Sequence, residues 1–374
     1  MTGAVPSRAK RRRLLPAKAP LTLLSTDGQP LHSPSLDMPG HDALVGLHRQ
    51  MVLARRFDTQ ATALTKQGRL AVYPSARGQE AAEIGAVAAL RPQDWLFPTY
   101  RDSIAVVARG VDPVEVLTLL CGDWHCGYDP YAHRVAPQCT PLATNAPHAV
   151  GLAHAARLKG EDTVALVMLG DGATSEGDTH TALNFAAVWH SPVVFFVQNN
   201  GYAISVPVAK QTAAPSLAHK GIGYGIPGVL VDGNDPAAVY AAVRRAVESA
   251  AGGAGPTLIE ALTYRIEAHT NADDAARYRP RAEVQEWLAR DPVTRIRQYL
   301  LDQGLLDAQA LSALDAEAEA QAGDLRRRMN TDTVPDPADL FRFVYAEPTP
   351  TLRRQQQRLA AELEELTDEA REIP

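Results

Sequence analysis

Asp171 and Asn200 are the residues of this chain best suited to hold a ligand together. Asp171 lies in Gly170-Asp171-Gly172, at the end of the apolar run from Val164 to Leu169. Asn200 lies in Asn199-Asn200-Gly201-Tyr202, just past a second apolar run from Val193 to Val197. Short, continuous apolar runs of this kind are the pattern of strands buried on both faces. In open parallel sheets ligands sit at the carboxyl ends of strands, so Asp171 and Asn200 would face one crevice. A carboxylate oxygen, an amide oxygen and a backbone carbonyl suit a hard cation such as Mg²⁺, which keeps positions open for phosphate oxygens. Glycines at 170, 172 and 201 let backbone approach such a ligand closely. Taken singly, each motif reads as a turn, because Gly, Asp and Asn dominate turns. Their placement at consecutive strand ends is what points to a diphosphate held through a metal.

The elements around these residues follow from the same kind of reading. Glu176, Gly177 and Asp178 precede an amphipathic segment, Thr179 to Trp189, and acids suit a helix N-terminus. Ser191-Pro192 ends that helix, so the two strands and the helix make one βαβ unit. Upstream, Leu44, Leu47, Met51, Ala54 and Leu64 mark a long helix closed by Gly68. The loop Tyr73–Glu80 leads into a small-residue helix from Ala81 to Leu90, suited to close packing under a sheet or against a partner. The run from Asp94 to Tyr100 ends in the cation Arg101. After a short helix from Pro113 to Leu120, Gly122 to Asn145 is a long polar loop, and such loops are commonly functional. Downstream lie irregular turns from Val206 to Gly228, then a third strand at Val229–Val231. A helix begins at Asp235-Pro236 and carries Val239, Val243 and Val247 on one face. A fourth strand runs from Thr257 to Tyr264. The polar stretch that follows holds His269 and ends in Arg277-Tyr278-Arg279. A lone histidine is more often structural, but an imidazole at a strand's carboxyl end can donate and accept near neutral pH. Residues 281–303 and 307–329 read as helices. Leu352, Leu359, Leu363 and Leu366 form an apolar stripe on a last helix, read as packing on a partner chain.

Successive βα units give an α/β fold with a doubly wound, mainly parallel sheet and helical N- and C-terminal extensions. The expected organisation is a disordered or extended arm over residues 1–40, an α/β domain over 41–330 and a helical extension over 331–374. The 374 residues carry a formal net charge of −6, which gives no reason to expect nucleic acid. The basic block Arg8 to Arg13 reads as a solvated tail, with an organelle transit peptide as the lesser reading. No apolar stretch there is long enough for a signal peptide or a membrane span. Cys121, Cys126 and Cys139 are sparse and odd in number, which fits the cytoplasm and no disulfide scaffold. With His125 and His133 nearby, zinc was weighed, but the spacing matches none of the usual ligand pairs. A nicotinamide site is open to this fold class, yet no GxGxxG follows a first strand.

The string GDGATSEGD, continued by the helix Leu183-Asn184-Phe185-Ala186-Ala187 and by VQNNGYAIS, resembles the alpha subunit of the thiamine-diphosphate-dependent first component of 2-oxoacid dehydrogenase complexes. The resemblance runs from about Leu44 to Leu363. It implies a thiamine-diphosphate-binding fold, with Asp171, Asn200 and the carbonyl of Tyr202 on Mg²⁺. It places Tyr100, Arg101, Thr140, Leu142, Gly170, Gly172, Ala173, Gln198, Arg265 and His269 at the cofactor. Among these, Tyr100-Arg101 meets the diphosphate, and a guanidinium suits phosphate oxygens. Leu142 braces the bent cofactor, and a structural K⁺ near Pro141 and Thr144 occurs in some relatives. His269 is implied as the catalytic residue, contacting diphosphate and substrate. Gln198 is a departure: mammalian branched-chain enzymes carry a phosphate-reaching Arg there, and Gln198 can donate a hydrogen bond but brings no charge. Thr270 stands where animal relatives carry a phosphorylated Ser, with no basis here for the same regulation.

The activity implied is decarboxylation of a 2-oxoacid on thiamine diphosphate, with transfer of the acyl group to a lipoyl arm of the acyltransferase component. One pyrophosphate-binding domain without a pyrimidine-binding copy implies a site shared with a beta subunit, in an assembly of two alpha and two beta chains. The segment Thr140–Thr144 and the Leu183–Ala187 helix are similar to the branched-chain branch, so the expected substrate is 3-methyl-2-oxobutanoate. Pyruvate is the close alternative, because related bacterial pyruvate enzymes share VQNN and a stretch like KQTAAPSLAHK. A few methylenes discriminate by only ~1–3 kcal/mol. An acetoin-cleaving relative and a non-catalytic assembly subunit are the other readings.

Overall fold

A computed structural model describes residues 14–122, 125–330 and 336–372. The basic block at Arg8–Arg13 lies outside them. The described strands are β1 (Trp95–Phe97), β2 (Ala165–Gly170), β3 (Val193–Asn199), β4 (Tyr202–Ala203), β5 (Val206–Pro207), β6 (Gly228–Asp232) and β7 (Thr257–Leu262). Five of them form one sheet in the order β1-β2-β3-β7-β6, every neighbour parallel. β4 and β5 make a separate antiparallel pair. The described helices are α1 (His41–Lys66), α2 (Glu80–Ala88), α3 (Ser103–Ala108), α4 (Pro113–Thr118), α5 (Pro130–His133), α6 (Asn145–Lys159) and α7 (Gly177–Trp189). They continue with α8 (Pro236–Ala251), α9 (Arg281–Leu288), α10 (Pro292–Asp302), α11 (Ala308–Met329), α12 (Asp339–Arg342) and α13 (Pro350–Glu372).

β2 and, up to Val197, β3 are apolar because both faces of the sheet are covered. Ala165, Val167 and Leu169 of β2 and Val193, Phe195 and Val197 of β3 share one core with α6 and α7. The alternate residues Leu166, Met168, Val194 and Phe196 point to the opposite face and are equally buried. There α8 packs on β3, β6 and β7, and α2 packs on α8. Strand order explains this split. The chain steps in one direction from β1 to β2 to β3 and then to β6, and steps back from β6 to β7. A crossover of constant hand that reverses direction puts its helix on the other face. The small residues of α2 have their expected use, since a Cβ on Gly85 would stand 3.0 Å from Val239 Cγ1 of α8.

Local signals mostly set the element ends. Asp235 caps α8 by accepting from Ala237 N and Ala238 N at 3.1 Å each. Its other oxygen accepts from Leu23 N at 2.6 Å and Leu24 N at 2.7 Å, which ties the N-terminal arm to the domain. Leu21 continues that arm as a parallel bridge to Val231 of β6. The helical region read as 281–303 is two helices, broken where Asp291 accepts from Thr294 N at 2.8 Å and starts α10 at Pro292. β7 stops at Leu262, before the expected end at Tyr264, and the bond from Thr263 N to the carbonyl of Asn199 at 2.9 Å is the last rung of its ladder with β3. By compactness the chain divides at Arg326/Arg327. Within the second unit, Leu352, Leu359 and Leu363 of α13 are half-buried and Leu366 is exposed.

Candidate active site

Because all five strands are parallel, their carboxyl ends share one edge of the sheet, and the predicted residues are delivered there. β2 ends at Asp171, β3 leads to Asn200 and Tyr202, and the chain beyond β1 brings Tyr100 and Arg101. Beyond β7, Arg265 N donates to the carbonyl of Asn200 at 3.4 Å, which lays the His269 segment against the end of β3. A cleft of about 130 Å³ results. Of the predicted residues, Tyr100, Arg101, Leu142, Gly170, Asp171, Gly172, Ala173, Gln198, Asn200, Tyr202, Arg265 and His269 line it. Thr140 does not line it and is exposed, and Pro141 and Thr144 lie on the same loop outside the lining.

Three oxygens converge at one wall. Asn200 Oδ1 lies 3.0 Å from the Tyr202 carbonyl oxygen and 3.2 Å from Asp171 Oδ1. Acceptors so close repel unless something positive stands between them. Adjacent ligands of an octahedral cation bound at ~2.1 Å are separated by ~3.0 Å. The donor set and its spacing therefore fit Mg²⁺. Asp171 is 1% exposed, and burial pushes its carboxyl upward, opposed by a hydrogen bond from Gln211 Nε2 at 2.6 Å.

Positive charge gathers beside these oxygens, and Arg265 Nη1 itself donates to the Tyr202 carbonyl at 3.4 Å. Arg101 is 5% exposed and Arg265 is 1% exposed, and among the described residues neither pairs with a carboxylate. Arg101 Nη1 donates to the Ser75 carbonyl at 2.9 Å, and Nη2 reaches His269 Nδ1 at 3.0 Å. Arg265 Nη2 donates to the Ile204 carbonyl at 2.7 Å and to Tyr278 Oη at 2.8 Å, and Nη1 lies 3.4 Å from the same His269 Nδ1. Burial and then the neighbouring Arg101 depress the affinity of Arg265 for its proton. Buried charges require a counterion. Among the described residues neither guanidinium forms a direct ion pair, and carboxylates act on them only from farther off, so two such groups lining a single cleft would suit an anion, and their planar forks suit phosphate oxygens.

His269 sits between the two arginines. Burial first, then Arg101 and Arg265, hold its imidazole down to about 4, so the ring is neutral at pH 7. Guanidinium groups can only donate, so Nδ1 is the acceptor and the ring proton resides on Nε2. Asp273 Oδ2 accepts from His269 N at 2.8 Å and from Tyr278 Oη at 2.6 Å, which braces the loop.

The three glycines differ in role. Gly170 lines the cleft, and a Cβ there would meet open space, so it is the one beside which a ligand can pass. A Cβ on Gly172 would lie 2.7 Å from Ala203 Cβ, so that glycine serves the approach of β4 instead. Gly201 has φ +90°, a turn requirement. Gln198, expected to offer a hydrogen bond to a diphosphate, directs Nε2 to Asp102 Oδ1 at 2.6 Å and receives Gln79 Nε2 on its own oxygen at 2.7 Å. Gln79, Asp102 and Ile204 escaped the sequence reading. Gln79 and Asp102 adjoin residues that were singled out, but nothing local marks their contacts across the sheet. Ile204 has φ +55° and is 56% exposed at the cleft, a combination that becomes visible only in three dimensions.

The family model described as the dehydrogenase E1 component matches residues 48–338. The chain is 48% identical over 346 residues to the Mycobacterium tuberculosis 3-methyl-2-oxobutanoate dehydrogenase subunit alpha, covering 92% of this chain and 94% of that one. It is 38% identical to the Bacillus subtilis 2-oxoisovalerate dehydrogenase subunit alpha, over 81% of this chain and 95% of that one. It is 36% identical to the Acholeplasma laidlawii pyruvate dehydrogenase E1 component subunit alpha, over 84% and 92% of the two. With an all-parallel doubly wound sheet and a cleft at its carboxyl edge, the chain belongs to the dehydrogenase E1 component family, the thiamine-diphosphate-dependent enzymes that decarboxylate 2-oxoacids.

Proposed function

We propose that this chain is the alpha subunit of a branched-chain 2-oxoacid dehydrogenase. It would act on 3-methyl-2-oxobutanoate with a beta subunit, in an assembly of two chains of each kind, and pass the acyl group to a lipoyl-bearing acyltransferase. The observation that carries the site is the meeting, in one cleft, of three converged oxygens and two arginines that among the described residues form no ion pair with a carboxylate. A diphosphate held through a cation would satisfy the oxygens and the arginines together. Asp171, Asn200 and the Tyr202 carbonyl would hold Mg²⁺, and Arg101 and Arg265 would hold the diphosphate oxygens. Bound thiamine diphosphate supplies the electron sink for decarboxylation. His269 presents Nε2–H toward substrate, and its low proton affinity keeps it able to donate a hydrogen bond without adding a third charge. Leu142 and Ile204 are apolar and 42% and 56% exposed at the cleft, ready to meet an apolar group. The chain carries only three cysteines, which fits a reducing cytoplasm.

The branched-chain assignment rests on the names of two relatives, and the pyruvate reading on that of a third. The test is decarboxylation by this chain co-expressed with its beta partner, with thiamine diphosphate, Mg²⁺ and a dye acceptor. A higher kcat/KM for 3-methyl-2-oxobutanoate than for pyruvate is expected. The reverse preference overturns the substrate, and activity with neither, together with no Mg²⁺-dependent cofactor binding, overturns the catalytic reading.

A further inference from the structure

The oxygens at the cation wall raise a question of orientation. Asn200 presents an amide, and its two ends are nearly identical in shape. Turned over, Nδ2 would donate to the Tyr202 carbonyl at 3.0 Å and to Asp171 Oδ1 at 3.2 Å. Two hydrogen bonds would form, and the cation position would be closed by N–H groups. Something must hold the amide the other way.

Tyr202 N donates to Asn200 Oδ1 at a long 3.4 Å, and the stronger constraint comes from a buried chain of side chains that runs from the cleft lining to Asp102. Asn200 Nδ2 donates to Gln79 Oε1 at 2.9 Å. Gln79 Nε2 donates to Gln198 Oε1 at 2.7 Å, and Gln198 Nε2 donates to Asp102 Oδ1 at 2.6 Å. Asp102 is fully buried, and its second oxygen accepts from Thr99 N at 2.6 Å. The backbone N–H of Thr99 can only donate, and an ionised carboxylate can only accept. The direction of the chain is therefore set at Asp102. Reversing Asn200 alone would set its oxygen against Gln79 Oε1 at the same 2.9 Å. Reversing Gln79 and then Gln198 to relieve this would end with an amide oxygen facing the carboxylate. In a buried site a mismatched polar pair costs more than one exposed to water.

We propose that Asp102, Gln198 and Gln79 are positioning residues that lock the amide of Asn200 with its oxygen toward the cation. The relay gives Gln198 a task in place of the direct phosphate contact expected of it. The inference rests on the reading of Asp171, Asn200 and Tyr202 as a divalent-cation site.

The test separates the two claims. The chain, co-expressed with its beta partner, is titrated with Mn²⁺ in the presence of thiamine diphosphate, and free Mn²⁺ is followed by electron paramagnetic resonance. Wild type should bind and Asp171→Ala should not. If wild type fails to bind, the cation reading falls. Gln79→Met removes the acceptor that holds Asn200, and outer residues of metal sites cost about 10–100-fold in affinity when lost. A loss of that size is expected. Gln79→Glu retains an acceptor for Asn200 Nδ2 but loses the donor to Gln198 Oε1, so its affinity should fall between wild type and Gln79→Met, which a loss through general disruption would not give. Gln198→Met breaks the relay one link further out and should weaken Mn²⁺ less than Gln79→Met. Should Gln79→Met not fold, Gln198→Met against wild type carries the test. With wild type binding, unchanged affinity in the folded Gln79→Met, or in Gln198→Met if that variant alone folds, overturns the relay. Equal losses in Gln79→Met and Gln79→Glu overturn it as well.

Discussion

Replacing Arg101 with Met tests whether the two arginines form an anion site or merely brace the loops. Arg101 Nη2 and Arg265 Nη1 both approach His269 Nδ1, at 3.0 and 3.4 Å. The two nitrogens are thus no farther apart than ~6 Å, and at an effective dielectric constant of ~20 their charges repel by ~3 kcal/mol. Without ligand that repulsion works against folding. Arg101→Met relieves it but forfeits the hydrogen bonds to His269 Nδ1 and to the carbonyls of Ser75 and His269, at ~1 kcal/mol each. The two effects nearly cancel, so the melting temperature without cofactor should move by no more than a few degrees. Binding should behave differently. A charge-assisted hydrogen bond contributes ~1.5–3 kcal/mol, so thiamine diphosphate affinity should fall by about 10–150-fold. Tryptophan fluorescence titration gives the affinity, and thermal unfolding with and without cofactor and Mg²⁺ gives the stability. An affinity within twofold of wild type, or a melting temperature that collapses without cofactor, would refute the reasoning. The first outcome would mean that no anion sits at Arg101, and the second that the residue is a structural brace.

Other features make further expectations. Ile204 is a β-branched residue with φ +55°. The left-handed region costs a residue with a side chain ~1–2 kcal/mol, and added chain entropy offsets part of the relief, so Ile204→Gly should leave the melting temperature unchanged or slightly higher. Gly78 has φ +94°, and a Cβ there would stand 2.3 Å from the Tyr264 carbonyl oxygen, so Gly78→Ala should unfold the chain at a clearly lower denaturant midpoint. Asp58 accepts from Tyr73 Oη, Ser75 Oγ and Ala76 N, at 2.9, 2.7 and 2.8 Å. Asp58→Ala leaves three buried donors without an acceptor and should cost ~3 kcal/mol or more by chemical denaturation, with cofactor affinity lost as the Ser75 carbonyl releases Arg101. His48 is 1% exposed and is held down to about 4, chiefly by burial, with neither ring nitrogen partnered among the described residues. Its unfolded form takes a proton near pH 6.5 and its folded form does not, so stability present above that pH is lost as pH falls from about 6.5 toward 4. His48→Leu should flatten that part of the denaturant-midpoint profile, and an unchanged slope would show that other groups carry it.

Much of this molecule is legible in the order of its residues. The runs before Asp171 and Asn200 are apolar because both sheet faces are covered, and a strand buried on two sides leaves that mark. Asp235-Pro236 starts a helix by local hydrogen bonding, which needs no knowledge of the rest of the chain. Parallel strands put Asp171 and Asn200 at one edge, so a cation site could be expected from spacing and strand direction, whereas the Tyr202 carbonyl is implied only by the family resemblance. Tertiary structure decided what depends on distant partners. Which strands adjoin is set by packing of whole helices, and sequence patterns do not encode the order β1-β2-β3-β7-β6. That Arg101 and Arg265 share one imidazole depends on residues 164 positions apart meeting across the sheet edge. The direction in which Asn200 points its amide depends on Asp102 through two glutamines, and hydrogen-bond polarity passes along contacts in space that leave no periodic trace in the chain.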